Sequence, residues 1–254
     1  MPSASQKIGV VVVTFNARDS IGICLSSLQR EISAGDSILV IDNASQDETA
    51  SLVRKQFPKM RLILNDNNSG FSKAVNQGIK ALLKAGCEYI LLLNPDTKME
   101  HNSLSAMIET LAADPKRAVV QPLLTLMSDP KKINTWGNEY RGFGIVSLGG
   151  HGRAVGTGRD LSVPELSADR QIDYASGACM LVRASVFKEI GLLDEGFFLY
   201  FEDTEFSDRV KRAGYEIWLS AGSRVQHDYH YPLSFHKLKH LLKSWHHYCF
   251  HRFS

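Results

Sequence analysis

Apolar residues along this chain follow two rhythms. Short unbroken runs alternate with longer stretches in which apolar positions recur every third or fourth residue. The runs at residues 8–15, 37–41, 61–64 and 89–93 are too brief for typical helices and read as strands, the first being largely β-branched. The first, second and fourth show no polar alternation, so burial on both faces is expected. Residues 21–28, 45–57 and 71–85 read as helices, with Ser45 and Asp47 able to cap the second. Strands alternating with helices imply right-handed crossovers. The expected fold class is α/β, with a Rossmann-like, mainly parallel central sheet flanked by helices.

The fourth run, Tyr89-Ile90-Leu91-Leu92-Leu93, stops at Asn94-Pro95-Asp96. Proline removes a ladder donor and biases the residue before it toward extended geometry, so pairing must end there. Asp96 is thereby delivered to the carboxyl end of a central strand, where open α/β sheets bind ligands. The plainer alternative is a turn aspartate that caps a helix starting near Met99. A dinucleotide site is disfavoured, because the turn after the first strand reads Thr14-Phe15-Asn16-Ala17-Arg18 and has no glycine. The sequence also lacks a phosphate-binding P-loop. A diphosphate held here would need other means, and a metal on an aspartate is the simplest.

In the second half, eight glycines crowd residues 136–160 without periodicity. A flexible surface loop is the plain reading, and a mobile lid over an acceptor is the functional one. Ser176-Gly177-Ala178 is a small-residue turn leading into a strand within residues 172–183, followed by a short helix that Gly191 stops. Phe197-Phe198-Leu199-Tyr200-Phe201 then runs directly into Glu202, Asp203 and Glu205. Carboxylates suit a helix N-terminus, with Asp203 or Thr204 as the expected cap. The aromatics would also desolvate one carboxylate and raise its pKa toward general-base duty. Residues 216–219 are the last strand candidate. His227 follows it as Asp96 follows the fourth run, so both could reach one point, although a lone histidine is more often structural.

Residues 234–254 contain no acid. Leu238, Leu241, Leu242, Trp245 and Tyr248 repeat at helical spacing, with His236, His240, Lys243, His247 and His251 on another face. Two readings stand side by side: a basic amphipathic helix on an anionic membrane surface, and a C-terminal helix docked on its own domain.

Composition narrows the function classes. The 254 residues can bury one large core, and a net charge of +2 argues against nucleic acid as a partner. Cys24, Cys87, Cys179 and Cys249 lie far apart without zinc-ligand spacing, which fits buried free thiols in a reducing compartment. The N-terminus lacks the apolar run of a signal peptide, and no segment approaches the ~18 apolar residues of a spanning helix. A cytoplasmic location is expected, with any membrane contact peripheral and on the inner face of the cell membrane.

Six blocks, in order, resemble glycosyltransferase family 2. They are residues 10–16; Ile41-Asp42-Asn43-Ala44-Ser45; Asn68-Ser69-Gly70-Phe71 with Asn76; Leu93-Asn94-Pro95-Asp96; Ser176-Gly177-Ala178; and Gly191-Leu192-Leu193-Asp194-Glu195 through Phe201-Glu202-Asp203. They are most similar to the bacterial rhamnosyltransferase branch. The resemblance implies a GT-A fold, a nucleotide-sugar donor, a divalent metal (Mn2+ or Mg2+) and inversion at the anomeric carbon. It implies that Asp42 meets the nucleobase or ribose with Thr14 and Asn16 beside it. It further implies that Asn43, Gly70, Phe71, Asn76, Asn94, Ser176 and Gly177 serve substrate binding.

Asp96 matches the last acid of the family's metal-binding Asp-x-Asp, and Asn94 stands where the first acid falls, leaving one charged ligand instead of two. His227 falls where many GT-A enzymes carry a metal-ligand histidine. Asp203, with Glu202 beside it, matches the acid that deprotonates the acceptor hydroxyl. The implied organisation is a nucleotide-sugar-binding half (residues 1–120), an acceptor-binding and catalytic half of the same domain (121–232), and a C-terminal helix (233–254). The implied activity moves L-rhamnose from dTDP-rhamnose to a lipid-linked or polysaccharide acceptor in cell-surface glycan synthesis. The alternative is a non-catalytic nucleotide-sugar-binding or scaffold protein on the same fold.

Overall fold

The four apolar runs of the first half are strands, and the patterned stretches between them are helices. A computed structural model describes residues 7–139, 153–163, 166–229 and 235–252. The chain begins β1 (Ile8–Thr14), α1 (Arg18–Leu28), β2 (Ser37–Asp42), α2 (Thr49–Gln56), β3 (Arg61–Leu64), α3 (Phe71–Lys84) and β4 (Tyr89–Leu93). It continues through β5 (Thr97–Met99), α4 (Ser103–Ala112), β6 (Arg117–Leu126), β7 (Ile133–Thr135), β8 (Asn138–Glu139), β9 (Arg153–Ala154) and β10 (Arg170–Gln171). It ends with β11 (Cys179–Arg183), α5 (Ala184–Ile190), α6 (Glu202–Arg212), β12 (Glu216–His227) and α7 (Phe235–Arg252).

One sheet takes the order β10-β12-β6-β11-β4-β1-β2-β3, with β5 on β12 and β7 on β6. The pairs β1–β2, β1–β4, β2–β3 and β6–β12 are parallel, and β11 runs antiparallel to both β4 and β6. All the long strands except β11 therefore point one way, and their carboxyl ends share one edge. β1 to β4 form the parallel part of this α/β sheet that the alternation of elements required, while β5, β7 and β10 add antiparallel pairs on the side of β6 and β12.

Side chains alternate across this sheet. Val11 and Val13 join Ala74, Ile79, Phe187 and Phe206 on one face, while Val10 and Val12 join Ile21, Leu25, Met107 and Leu111 on the other. Helices cover both faces, which explains why the central strands carry no polar alternation. Cys24, Cys87 and Cys179 are buried free thiols within these layers.

Several elements differ from the sequence expectation. Met99 lies in β5, buried and opposite Val225, and the next helix starts only at Ser103 behind a left-handed Asn102. β6 escapes the pattern because Gln121 and Pro122 interrupt its apolar run. Pro122 is tolerated in a central strand because the β6–β12 register shifts between Ser220 and Arg224, a bulge facing the missing donor. β12 is one strand from Glu216 to His227, well past residue 219. α6 starts at Glu202 with a left-handed Phe201 at its N-cap, so neither Asp203 nor Thr204 is the cap. Residue 120 lies inside β6, so strands from both proposed halves share the sheet.

In the glycine-rich stretch, Gly142, Gly144, Gly149, Gly150 and Gly152 lie outside the described residues, and with them most of the expected loop or lid. Of the described glycines, Gly156 is closely packed, since a Cβ there would fall 2.8 Å from the ring of buried Trp136, while Gly158 meets open space among exposed residues. No described helix is long and apolar enough to cross a membrane.

α3 crosses β1 at close range through Gly78, where a Cβ would lie 2.6 Å from a methyl of Val11. Gly78→Val should therefore overpack this crossing and lower the unfolding free energy by roughly 1–3 kcal/mol. A urea titration followed by circular dichroism reads this as a lower midpoint with an unchanged slope.

Candidate active site

Two turns at the carboxyl edge of the sheet bring the candidate residues together. The first follows β4. Asn94 N–H donates to the Ala178 carbonyl at 2.9 Å, and the Thr97 hydroxyl donates back to the Asn94 carbonyl at 2.7 Å. The chain then enters β5, whose Thr97 pairs with His227 at the end of β12, and Asp228 N–H donates to the Asp96 carbonyl at 2.9 Å. This register sets Asp96 beside His227, with Oδ1 3.5 Å from Nε2. Their meeting point is thus a product of strand pairing.

His227 Nδ1 lies 3.1 Å from Asn134 Oδ1. With Nδ1–H donating to that oxygen, Nε2 is the ring nitrogen turned toward Asp96, the usual way a partner orients a histidine at a metal site. Asp96 Oδ1 is buried and accepts no hydrogen bond, while the carboxylate as a whole is 39% exposed. A carboxylate oxygen without a hydrogen bond, beside an imidazole nitrogen, suits a divalent cation such as Mn2+. Among the described residues no group of three or more His, Cys, Asp and Glu side chains could hold a metal. Further ligands would have to come from water or substrate, which is the habit of Mg2+ at phosphate sites.

The second turn precedes β11. Because β11 is antiparallel to β4, with Cys179 opposite Leu93, Ser176, Gly177 and Ala178 reach the edge where β4 ends. Gly177 N–H donates to Asp203 Oδ2 at 2.8 Å. Thr204 donates its N–H and hydroxyl to Oδ1 at 2.7 and 3.2 Å. Ser176 N–H is held at 2.7 Å by Gln121 Oε1, itself wholly buried on β6. One three-residue turn therefore ties Asn94, and through it Asp96, to Asp203.

Glu202 lies beside them, buried, with Oε2 lacking any hydrogen-bond partner. Burial first, and the neighbouring Asp203 carboxylate second, push its pKa up to about 8. Tyr200 and Phe201, just before it, both have φ near +70°, a left-handed conformation that costs bulky residues roughly 1–3 kcal/mol each. Packing imposes it: the Phe198 carbonyl accepts from Phe71 N–H at 2.7 Å, and Phe201 stacks on Tyr248 with ring centroids 5.3 Å apart.

The remaining expected substrate-binding residues divide into two kinds. Thr14 and Asp42, buried at the ends of β1 and β2, each present an oxygen with no hydrogen-bond partner, while the other Asp42 oxygen accepts from Ser45 N–H at 3.0 Å. Asn16 is exposed and left-handed, accepting from Gln46 N–H at 2.7 Å. Asn43 and Asn76 are instead buried inside hydrogen-bond networks. Asn43 donates to Asn68 Oδ1 and the Gly70 carbonyl and accepts from Asn65, shaping the loop before α3. Asn76 pairs with both backbone groups of Leu193 and donates to Glu195 Oε1. Gly70, at φ +90°, packs where a Cβ would strike the Phe198 backbone at 2.9 Å. Glu205 binds Arg209, which donates onward to the Ile190 and Leu192 carbonyls.

Gln121, a lone polar residue in an apolar run, and Asn134, one of several polar residues around Ile133, carried no signal in the sequence and become meaningful only through their strand neighbours. Phe15, 46% exposed in the turn after β1, is a flat apolar surface beside that edge; its place next to Asn16 was the available signal.

A central sheet with helices on both faces, and the Asp96 and Asp203 turns at one edge of it, has the architecture of the GT-A fold. The sequence profile of Glycosyl transferase family 2 matches residues 9–191, and the chain belongs to that family. It is 29% identical over 231 residues to the N-acetylglucosaminyl-diphospho-decaprenol L-rhamnosyltransferase of Mycobacterium tuberculosis, covering 83% of this chain and 71% of the relative. It is 28% identical over 151 residues to Rhamnosyltransferase WbbL of Escherichia coli, covering 58% and 55% respectively. The crystal structure of GalNAc-T7 with UDP, GalNAc and Mn2+ superposes with a TM-score of 0.69 at 17% identity, over 93% of this chain and 47% of that one. The present chain spans about half of that protein.

Glu202 gives the site a pH signature. Its pKa is raised from the ordinary 4.5, so the native state holds the proton more tightly than the unfolded chain does. The stability this confers is complete at low pH and is lost as pH rises toward about 8. Glu202→Gln should flatten that slope: relative to wild type, its melting temperature should rise as pH goes from about 5 to about 8. Scanning calorimetry across that range is the check, and parallel curves for the two proteins would count against the assignment.

Proposed function

We propose that the protein is an inverting glycosyltransferase that moves L-rhamnose from dTDP-rhamnose to a lipid-linked or polysaccharide acceptor during cell-surface glycan synthesis. The observation that carries the reading is the double tether of the Ser176-Gly177-Ala178 turn, one end on the Asp96 turn and the other on Asp203. The rhamnosyltransferase relatives support the sugar, and the decaprenol-linked substrate named for one of them supports a lipid-linked acceptor.

The chemistry assigns opposite ends of the displacement to the two acids. Asp96 and His227 would hold a divalent cation, which when bound neutralises charge on the departing nucleoside diphosphate. Asp203 takes the proton from the acceptor hydroxyl as it attacks the far face of the anomeric carbon, so the configuration inverts. Three donors fix its carboxylate, and orientation of this kind lowers the barrier by presetting the approach. One base suffices, unlike the carboxylate pair of a glycosidase. Asp42 and Thr14 would meet the nucleoside, a role supported by their buried oxygens without hydrogen-bond partners. Buried Glu202, protonated over most of the neutral range, keeps a second negative charge away from Asp203.

Asp203→Asn should reduce transfer on the order of 100- to 10,000-fold, the usual contribution of a general base. Donor binding by calorimetry should persist, and normal turnover in this variant would refute the base assignment. In the same assay, release of nucleoside diphosphate no faster with acceptor extract than without would favour a binding or scaffold protein.

Loss of a metal ligand costs at least the roughly 10- to 100-fold typical of an outer partner. Asp96→Ala should accordingly weaken dTDP affinity by that factor in Mn2+ and hardly at all in EDTA. Equal affinities in both media for the wild-type protein would leave Asp96 without a cation to hold.

A further inference from the structure

α7 presents two different faces, and the site uses only one. Leu241, Ser244 and Tyr248 are buried against the aromatic run at residues 197–201. The Ser244 hydroxyl donates to the Leu199 carbonyl at 2.8 Å, and Tyr248 Oη donates to Asp208 Oδ2 at 2.6 Å. His247 Nε2 lies 3.0 Å from Asp194 Oδ2 with its ring edge-on to Phe197, and His240 stacks on Phe198 at 4.5 Å. This inner face answers one of the two expectations for the tail: the helix is docked on its own domain.

The outer face is what docking leaves over. Leu238, Leu242 and Trp245, at i, i+4 and i+7, are 38%, 48% and 42% exposed. They form a ridge along the helix, with Lys239, Lys243 and His246 exposed on the adjoining flank. No acid occurs between residues 234 and 254 to offset that charge. Single exposed leucines are ordinary on a protein surface. Three large apolar side chains in line, one of them tryptophan, beside lysines on a helix that carries no acid of its own, match a surface that meets lipid headgroups.

We infer that the Leu238–Leu242–Trp245 ridge seats α7 in the interface of an anionic bilayer, with Lys239 and Lys243 against the lipid phosphates, while the opposite face of the helix holds the loop that enters Glu202 and Asp203. The occupant is a lipid surface because the ridge is both apolar and one-sided in charge. A second copy of this chain would bring a second basic flank against the first. The orientation of the catalytic edge toward a lipid-linked acceptor rests on the proposed function, but the lipid contact itself does not.

Deleting residues 234–254 would strip the inner contacts as well, so point variants are required. The 254-residue chain is sedimented with vesicles of equimolar phosphatidylglycerol and phosphatidylcholine, and with vesicles of phosphatidylcholine alone. Wild type should partition to the anionic vesicles, less so at high salt, with a blue shift in tryptophan emission that Trp245→Phe removes. Leu238→Ser with Leu242→Ser should lower that partitioning at least tenfold. Lys239→Gln with Lys243→Gln should lower it too and remove most of its salt dependence. Thermal melts of both variants should match wild type, since all the altered side chains are exposed. Equal partitioning of wild type and the leucine variant would overturn the proposal. So would a wild-type dimer in analytical ultracentrifugation that the leucine variant abolishes, which would assign the ridge to a second copy. Vesicle binding without any sugar transfer would leave this surface standing and remove only the catalytic reading.

Discussion

The site depends on one strand running against the others. β11 enters the sheet between β4 and β6, antiparallel to both, so its leading turn lies where its neighbours end. Had it run with them, Ser176, Gly177 and Ala178 would sit at the far edge, and Gly177 N–H could not meet Asp203. The register is held by Leu181 and Val182, buried on opposite faces and paired on both sides. A slip of one residue would turn each to the wrong face, so the hydrophobic core enforces the hydrogen bond at the edge.

Placing Glu202 and Asp203 side by side out of water is unfavourable, and the structure resolves it in three ways. Both stand in the first turn of α6, where the helix dipole favours negative charge. Asp203 receives three hydrogen bonds, and charge-assisted bonds are the stronger kind. Glu202 receives none at Oε2 and instead retains its proton into the neutral range. The two acids thus differ by environment, and the difference begins in the strained Tyr200–Phe201 backbone that turns α6 inward.

The parallel half of the fold was legible because its signals are local: unbroken apolar runs at residues 8–15 and 89–93, and helical spacing between them. β6 was not, since Gln121 and Pro122 break its run and only the bulge across from them makes the strand possible. Asp96, His227 and Asp203 could be singled out from strand-end position and crowding with aromatics. Their mutual geometry required knowledge of pairings such as Thr97 with His227, which no spacing encodes. The sequence likewise pointed to carboxylate activation beside the aromatics without saying which acid. Burial answers that with Glu202, although Asp203 is the one tied to the Gly177 turn.

The C-terminal helix shows why periodicity alone cannot settle a role. Leu238, Leu241, Leu242, Trp245 and Tyr248 read as one stripe, yet in space they separate into an inner pair and an outer ridge. The two rows lie about 60–80° apart on the wheel at 100° per residue, close enough that any single apolar arc includes both. What separates them is the partner: Leu241 and Tyr248 meet the aromatic run, and Gly196 permits it, since a Cβ there would fall 2.3 Å from His247. The helix is therefore a wall of the domain whose inner contacts bear on the loop entering α6. Its Tyr248 stacks on Phe201, the left-handed residue immediately before Glu202, so the helix buttresses the backbone from which both acids start.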